Sequence, residues 1–339
     1  MGLFPCPPQP IHLRKQLRGR EGRARVTPPR GTPSNGSPPP PRPTRSVTCS
    51  REPLGRSTGS EMPDRFRVEI APSQHVTSLR YPAAAENRAG VALILGHGAG
   101  ADQTSGFMVA FATALAARGI DTVTFNFLYS EHGRRIPDPN GRLESCWRAV
   151  IESVRDRLNS GADKLAIGGK SMGGRIASQV AAGGVGKLAG LVFLGYPLHP
   201  PGRPDRLRAA HLRNVRAPML FVQGSRDAFG TPAELQPIIG LLEPPADLHV
   251  VEGGDHSFKV PKSAGVPQGD VRRAIQDRIE TWLRVWLRIK ALRGPPTVGA
   301  GVSPGPGREA ISFVTTRAAA ALSEICTLLG IMKSRERHF

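Results

Sequence analysis

The sequence predicts an α/β fold: a mostly parallel central sheet of about eight strands with helices on both faces. Two features carry that expectation. Between residues 62 and 290, short apolar runs alternate with longer amphipathic segments, the order that right-handed strand–helix–strand crossovers produce. The runs are also continuously apolar, as in Val91-Ala92-Leu93-Ile94-Leu95, which marks strands covered on both faces.

The elements follow in order. Residues 66–70 and 75–81 suggest two short strands with no helix between them, an antiparallel edge. Residues 91–95 form a buried strand stopped by Gly96. Phe107, Ala110, Phe111, Ala114 and Leu115 recur at helical spacing, and Gly119 supplies a C-terminal stop. Residues 122–127 are the next strand. Leu143, Trp147, Val150, Val154 and Leu158 make one helical stripe, ended by Asn159 and Gly161. A strand at 165–168 leads directly into Ser171, and 173–182 is helix. The strand at 191–194 is followed by a polar excursion over 196–216. A strand at 219–222, a helix at 232–242 and a strand at 248–251 come next. A long helix over 271–289 closes the body, with Ile275, Ile279, Trp282 and Trp286 on one side.

The flanks differ in composition. Residues 1–61 carry 13 of the 33 prolines and no sustained apolar run. Such a stretch cannot bury enough surface to offset the entropy of ordering, so disorder is expected. Translation from Met62 would still deliver the whole body. Residues 291–339 open on a Gly/Pro linker, Gly294 to Gly307. They then set Ile311, Val314, Ala318, Ala321, Ile325, Leu328 and Met332 at alternating steps of three and four. That seam, 311–332, is of coiled-coil type. A helix there would dock on its own domain, or pair with a partner or a second copy.

Charge sits largely in those flanks. The chain carries +19 formally, but residues 1–61 hold eleven Lys/Arg against three acids, and residues 290–339 seven against three. The body has no zinc-knuckle spacing and no aromatic-rich RNA-binding pattern, so nucleic acid is not the expected partner. Of four cysteines, Cys6, Cys49 and Cys326 lie in the flanks and Cys146 stands alone in the body. Neither a disulfide framework nor a cysteine metal site is expected, and no cofactor is implied. No apolar stretch is long enough for a bilayer span, and the cytoplasm is the expected location.

Gly169-Lys170-Ser171-Met172-Gly173 stands between a buried strand and a helix. In that setting a G-x-S-x-G turn exposes its serine at the sheet edge, and the following helix points its N-terminus at developing negative charge. Competing motifs fail. A phosphate loop would need glycine where the chain has Lys164. The turn Gly96-His97-Gly98-Ala99-Gly100-Ala101 fits a loose dinucleotide pattern, but the next strand ends in Phe125-Asn126-Phe127 with no acid for a ribose.

A serine nucleophile needs a base, and the base an orienting acid. The strand at 219–222 runs into Gly224-Ser225-Arg226-Asp227, and the strand at 248–251 into Gly253-Gly254-Asp255-His256. The order Ser171, Asp227, His256, each after a successive strand, is the order of an α/β-hydrolase triad. Asp255 is the rival acid, disfavoured because a residue can rarely orient the ring of its own neighbour. An oxyanion hole would draw one N–H from Met172 and another from Ala99 or Gly98 in the turn after the first buried strand. His97 in that turn is expected to be structural.

The chain resembles the α/β-hydrolase-like family that includes testis-expressed protein thirty and a subunit of the non-specific-lethal histone acetyltransferase complex. It resembles the dienelactone hydrolases more distantly. The stretches that carry this are LGHGAGAD at 95–102, FNFLYSEHGRRIPDP at 125–139, GGKSMGGRIAS at 168–178, GYPLHPPGRPDRLRAAHL at 195–212, QGSRDAFG at 223–230 and GGDHSFK at 253–259. Two departures show: Leu128 stands where proline is expected, and dienelactone hydrolases carry cysteine where this chain has Ser171. The resemblance implies the α/β-hydrolase fold and says little of substrate.

The expected function is serine hydrolysis of a small-molecule carboxylic ester, with thioester or lactone behind it. The excursion at 196–216 is short where related folds grow a cap. Arg134, Arg135 and Tyr196 are candidate substrate contacts, the arginines for an acidic group. Because the resemblance includes a complex subunit, a non-catalytic scaffold is the alternative from another class.

Overall fold

In the computed structural model, residues 62–158, 164–244 and 246–293 are described. The expectations for residues 1–61, the helix stop at 159–161, the linker from Gly294 and the seam at 311–332 lie outside the described residues.

Eight strands form one sheet in the order β1-β2-β4-β3-β5-β6-β7-β8. They are β1 (Asp64–Ala71), β2 (Gln74–Tyr81), β3 (Ala92–Gly96), β4 (Asp121–Phe125), β5 (Leu165–Lys170), β6 (Gly190–Leu194), β7 (Met219–Gly224) and β8 (Ala246–Val251). β1 pairs antiparallel with β2, and β2 antiparallel with β4. The other pairings are parallel, so the two leading strands do form the antiparallel edge.

Among the described residues six α-helices accompany the sheet: α1 (Gly106–Ala117), α2 (Leu128–Glu131), α3 (Asn140–Leu158), α4 (Met172–Ala182), α5 (Pro232–Ile239) and α6 (Gln268–Arg293). The continuous apolar runs have the expected cause. In β6, Leu191 and Phe193 face one core with Trp147 of α3 and Ile176 of α4. Val192 and Leu194 face the opposite core with Phe111 of α1 and Ile275 and Trp282 of α6. A strand whose alternate side chains enter two separate cores has no position left for a polar residue.

The structure shortens two of the expected elements. The strand expected at 122–127 stops at Phe125. Asn126 still donates its N–H to the Thr77 carbonyl at 3.0 Å, while its side chain accepts from the Gln103 N–H at 3.0 Å and donates to Glu131 at 2.9 Å. The short helix α2 follows at once, without a sequence signal of its own. Its Glu131 also accepts from the Thr77 hydroxyl at 2.6 Å, tying α2 to β2. The helix expected at 232–242 ends at Ile239, with a Thr231–Glu234 capping box at its start.

Parallel strands β3 and β5 to β8 all deliver their C-terminal ends to one edge. In open α/β sheets that edge is where ligands bind. Ser171 follows β5, Asp227 follows β7 and His256 follows β8.

Candidate active site

Ser171 sits on the turn between β5 and α4 with φ 51° and ψ −116°. A non-glycine residue held there stores about 1–3 kcal/mol of strain, which the surrounding packing must hold in place. The neighbouring glycines explain how. A Cβ on Gly169 would lie 2.2 Å from the Gly96 carbonyl oxygen, and a Cβ on Gly173 would lie 2.2 Å from the same atom. Both flanks of the serine are thus clamped against the end of β3, and only hydrogen fits. The Ser171 N–H donates to the Leu194 carbonyl at 3.1 Å, which fixes the turn to β6 as well.

Past the end of β8, His256 reaches back over this turn. Its Nε2 lies 2.8 Å from Ser171 Oγ, and its Nδ1 lies 2.8 and 3.0 Å from the two Asp227 oxygens. With Nδ1 facing a carboxylate, Nδ1 carries the proton and Nε2 is left bare to accept from the hydroxyl. Asp227 is 1% exposed. Its position is fixed from two further sides, by the Phe229 N–H at 2.8 Å and the Gln223 amide at 2.8 Å. Asp255 bonds elsewhere, its carboxylate accepting from the Ser257 and Lys259 N–H groups at 2.7 and 2.9 Å. It shapes the loop that carries His256.

Ser171 and His256 open onto a cleft of about 720 Å³, whose lining includes Gly98, Ala99 and Met172. Met172 is the first residue of α4, so its N–H has no carbonyl earlier in the helix to bond. The turn after β3 approaches from the other side. A Cβ on Gly98 would lie 3.7 Å from Ser171 Cβ. His97 is fully buried beneath that turn: its Nε2 accepts from the Phe127 N–H at 3.2 Å, and its Nδ1 donates to the Gly98 carbonyl at 2.9 Å. Burial lowers its pKa, which keeps it a neutral strut.

Three expected contacts lie elsewhere. Tyr196 is 1% exposed, and its hydroxyl donates to the Arg208 carbonyl at 2.8 Å. Its ring packs edge-on against Phe193 and Phe221, so it belongs to the core and is absent from the cleft wall. Arg134 donates to Asp138 at 2.8 Å; both it and Arg135 are exposed, and neither lines the cleft.

Other residues take the places around the cleft. Phe229 lies against the His256 ring with centroids 4.2 Å apart. Gln223 is fully buried at the end of β7, and its amide bonds Asp227, Gly230 and both backbone groups of Tyr196. A glutamine directly after the run Met219-Leu220-Phe221-Val222 was the available signal. Lys170, Arg175 and Arg208 line the cleft. Burial pushes the Lys170 ammonium down to about 8, against the opposing pull of Asp227 and Asp255.

Known proteins agree with this architecture. Among solved structures, a serine hydrolase without lid from Xanthomonas campestris is 21% identical and covers 66% of this chain and 95% of its own, with a TM-score of 0.52. A serine hydrolase homologue from Coxiella burnetii is 19% identical and covers 65% and 95%, with a TM-score of 0.50. A dienelactone hydrolase from Anabaena variabilis, at 18% identity over 66% and 97%, has a TM-score of 0.49 and adds nothing to the assignment. These likenesses speak to the fold. Residues 89–284 match the family described as "Alpha/beta hydrolase domain". The chain belongs to that family, and its fold is the α/β-hydrolase fold.

Proposed function

We propose that the protein is a serine hydrolase that cleaves a carboxylic ester, or a thioester or lactone, through an acyl-enzyme on Ser171. The observation that supports this most is His256 within 2.8 Å of both Ser171 Oγ and Asp227 Oδ2. Ser171 Oγ attacks the carbonyl carbon while its proton passes to His256 Nε2. Asp227 holds the Nδ1 tautomer and stabilises the imidazolium. The N–H groups of Met172 and of the Gly98-Ala99 turn receive the oxyanion, each worth about 3–4 kcal/mol in such sites. His256 then returns the proton to the leaving alcohol. In the second half it takes a proton from water as that water attacks the acyl carbon, and passes it to Ser171 Oγ as the bond to the acid product breaks.

The Xanthomonas campestris protein is described as lacking a lid. Here the excursion after β6 is short and holds only the 3-10 turn Ala210–Asn214, which favours small or exposed substrates. Among the described residues no helix is long and apolar enough to cross a membrane, and a cytoplasmic site of action belongs to the same reading. So does closer kinship with the family of testis-expressed protein thirty, which rests on the six motif stretches alone.

Hydrolysis of a panel of aryl esters of increasing acyl length by the full chain tests this reading. Turnover that disappears in Ser171→Ala supports it. Equal turnover in Ser171→Ala, or none with any ester, favours the scaffold instead.

A further inference from the structure

Five charged or titratable side chains line the cleft: Asp138, Lys170, Arg175, Arg208 and His256. Three of them are matched. Asp138 is bound by Arg134 at 2.8 Å and approached by Arg142 at 3.6 Å. Lys170 donates to the His256 carbonyl and faces the rings of Phe107 and Phe258. His256 lies between Ser171 and Asp227.

The remaining two are not. Arg175 has one side-chain hydrogen bond, to Gln179 at 3.3 Å. No ion pair among the described residues includes Arg175 or Arg208. Both are only partly exposed. The surroundings also oppose the charge of Arg175, first through burial and then through Arg208. The acid whose field reaches it, Glu144, is already held by Asn140 at 2.6 Å. The neighbouring His211 offers no countercharge: burial and Arg175 hold it down to about 4, and its ring bonds Ser178 at 2.8 Å.

Two like charges sharing a half-buried wall repel unless something anionic lies between them. Their placement is also tightly specified. Arg175 stands one helical turn after Ser171, its N–H donating to the Ser171 carbonyl at 3.0 Å. Arg208 is pinned through its backbone: its carbonyl accepts from the buried Tyr196 hydroxyl, and its N–H donates to the Leu198 carbonyl, both at 2.8 Å. The excursion after β6 is therefore anchored at the residue that carries the second guanidinium. Planar guanidinium forks match the two oxygens of a carboxylate.

We propose that Arg175 and Arg208 form an anion subsite beside the nucleophile, and that the ester cleaved at Ser171 carries a free carboxylate. This rests on the hydrolase reading and names its substrate class. It also shifts acid recognition from Arg134 and Arg135, which lie off the cleft, to a pair that sequence spacing did not single out.

The test compares mono-aryl esters of succinic, glutaric and adipic acid with their distal methyl esters, using the full chain. The wild type should prefer the free acid of at least one length by about tenfold or more in kcat/KM, chiefly through KM. In Arg175→Met and Arg208→Met that ratio should fall towards one, and Arg175→Lys should restore part of it. The readout is a ratio within one protein, so partial loss of folded material does not mimic it. No acid preference at any length in the wild type overturns the subsite while hydrolysis of the methyl esters leaves the hydrolase reading standing. If no ester is turned over, the hydrolase reading fails by itself. Free glutarate then decides the subsite: a rise in melting temperature lost in both methionine variants supports it, and no rise in the wild type overturns it.

Discussion

Lys170 Nζ donates to the carbonyl oxygen of His256 at 2.5 Å, joining the residue before the serine to the backbone of the histidine. The half-buried ammonium faces two aromatic rings, so the bond is charge-assisted in a site of reduced polarity. Burial holds its pKa at about 8, below the ordinary 10.5. Above about pH 8 the bond weakens, and ester kcat/KM should decline with rising pH. Lys170→Met should be slower at about pH 7 and lack that alkaline limb. Stability should move the other way. A lysine with a lowered folded pKa binds fewer protons folded than unfolded between 8 and 10.5, so its contribution to stability rises across that window. Urea titrations of wild type and Lys170→Met at about pH 7.5 and about pH 10 read the sign.

Ser171→Ala and His256→Ala should each lower ester kcat by about four to six orders of magnitude, and Asp227→Asn by less. The double variant Ser171→Ala/His256→Ala should be no worse than either single one, because the three groups act as a unit. Additive losses in contamination-controlled kinetics would break that unit apart.

Gln223 bonds Asp227, Gly230 and both backbone groups of Tyr196 from a fully buried position. Gln223→Leu fills similar space but leaves those groups unpaired, which should cost about 2–4 kcal/mol in urea unfolding. It should also lower kcat more than it raises KM, since Asp227 loses one of the bonds that aim it. A stability change below about 0.5 kcal/mol would show that water replaces the amide.

At Gly173 an added Cβ would meet the Gly96 and His97 carbonyl oxygens at 2.2 and 2.7 Å. Backbone atoms cannot step aside as a flexible side chain would. Gly173→Ala should therefore displace the Ser171 turn, abolishing activity and destabilising the protein by about 3 kcal/mol or more. Wild-type melting temperature and turnover in this variant would contradict the clamped-turn geometry.

The fold is legible in the sequence wherever local pattern and burial agree. β6 reads as a strand covered on both faces because Leu191, Val192, Phe193 and Leu194 alternate between two cores. α2 is not legible, because four residues at Leu128–Glu131 have too little periodicity and are held by a long-range bond to Thr77 as well as a local one to Asn126. Ser171, Asp227 and His256 can be found because each follows a strand whose end is marked by glycine. Arg175, Arg208 and Phe229 cannot, since their meeting at the cleft depends on how the loops after β6 and β7 fold back. Tyr196 shows the reverse error: a polar aromatic at a loop start suggested substrate contact, but its ring completes the core and its hydroxyl serves Arg208.

The most direct test of the central claim is covalent labelling of the full chain by a fluorophosphonate, with the adduct located by peptide mass spectrometry. The account predicts one adduct, on Ser171, formed rapidly at about pH 7.5, slowed by orders of magnitude in His256→Ala and absent in Ser171→Ala. Folded wild-type protein that takes up no probe, or labels equally well at another residue, would contradict it.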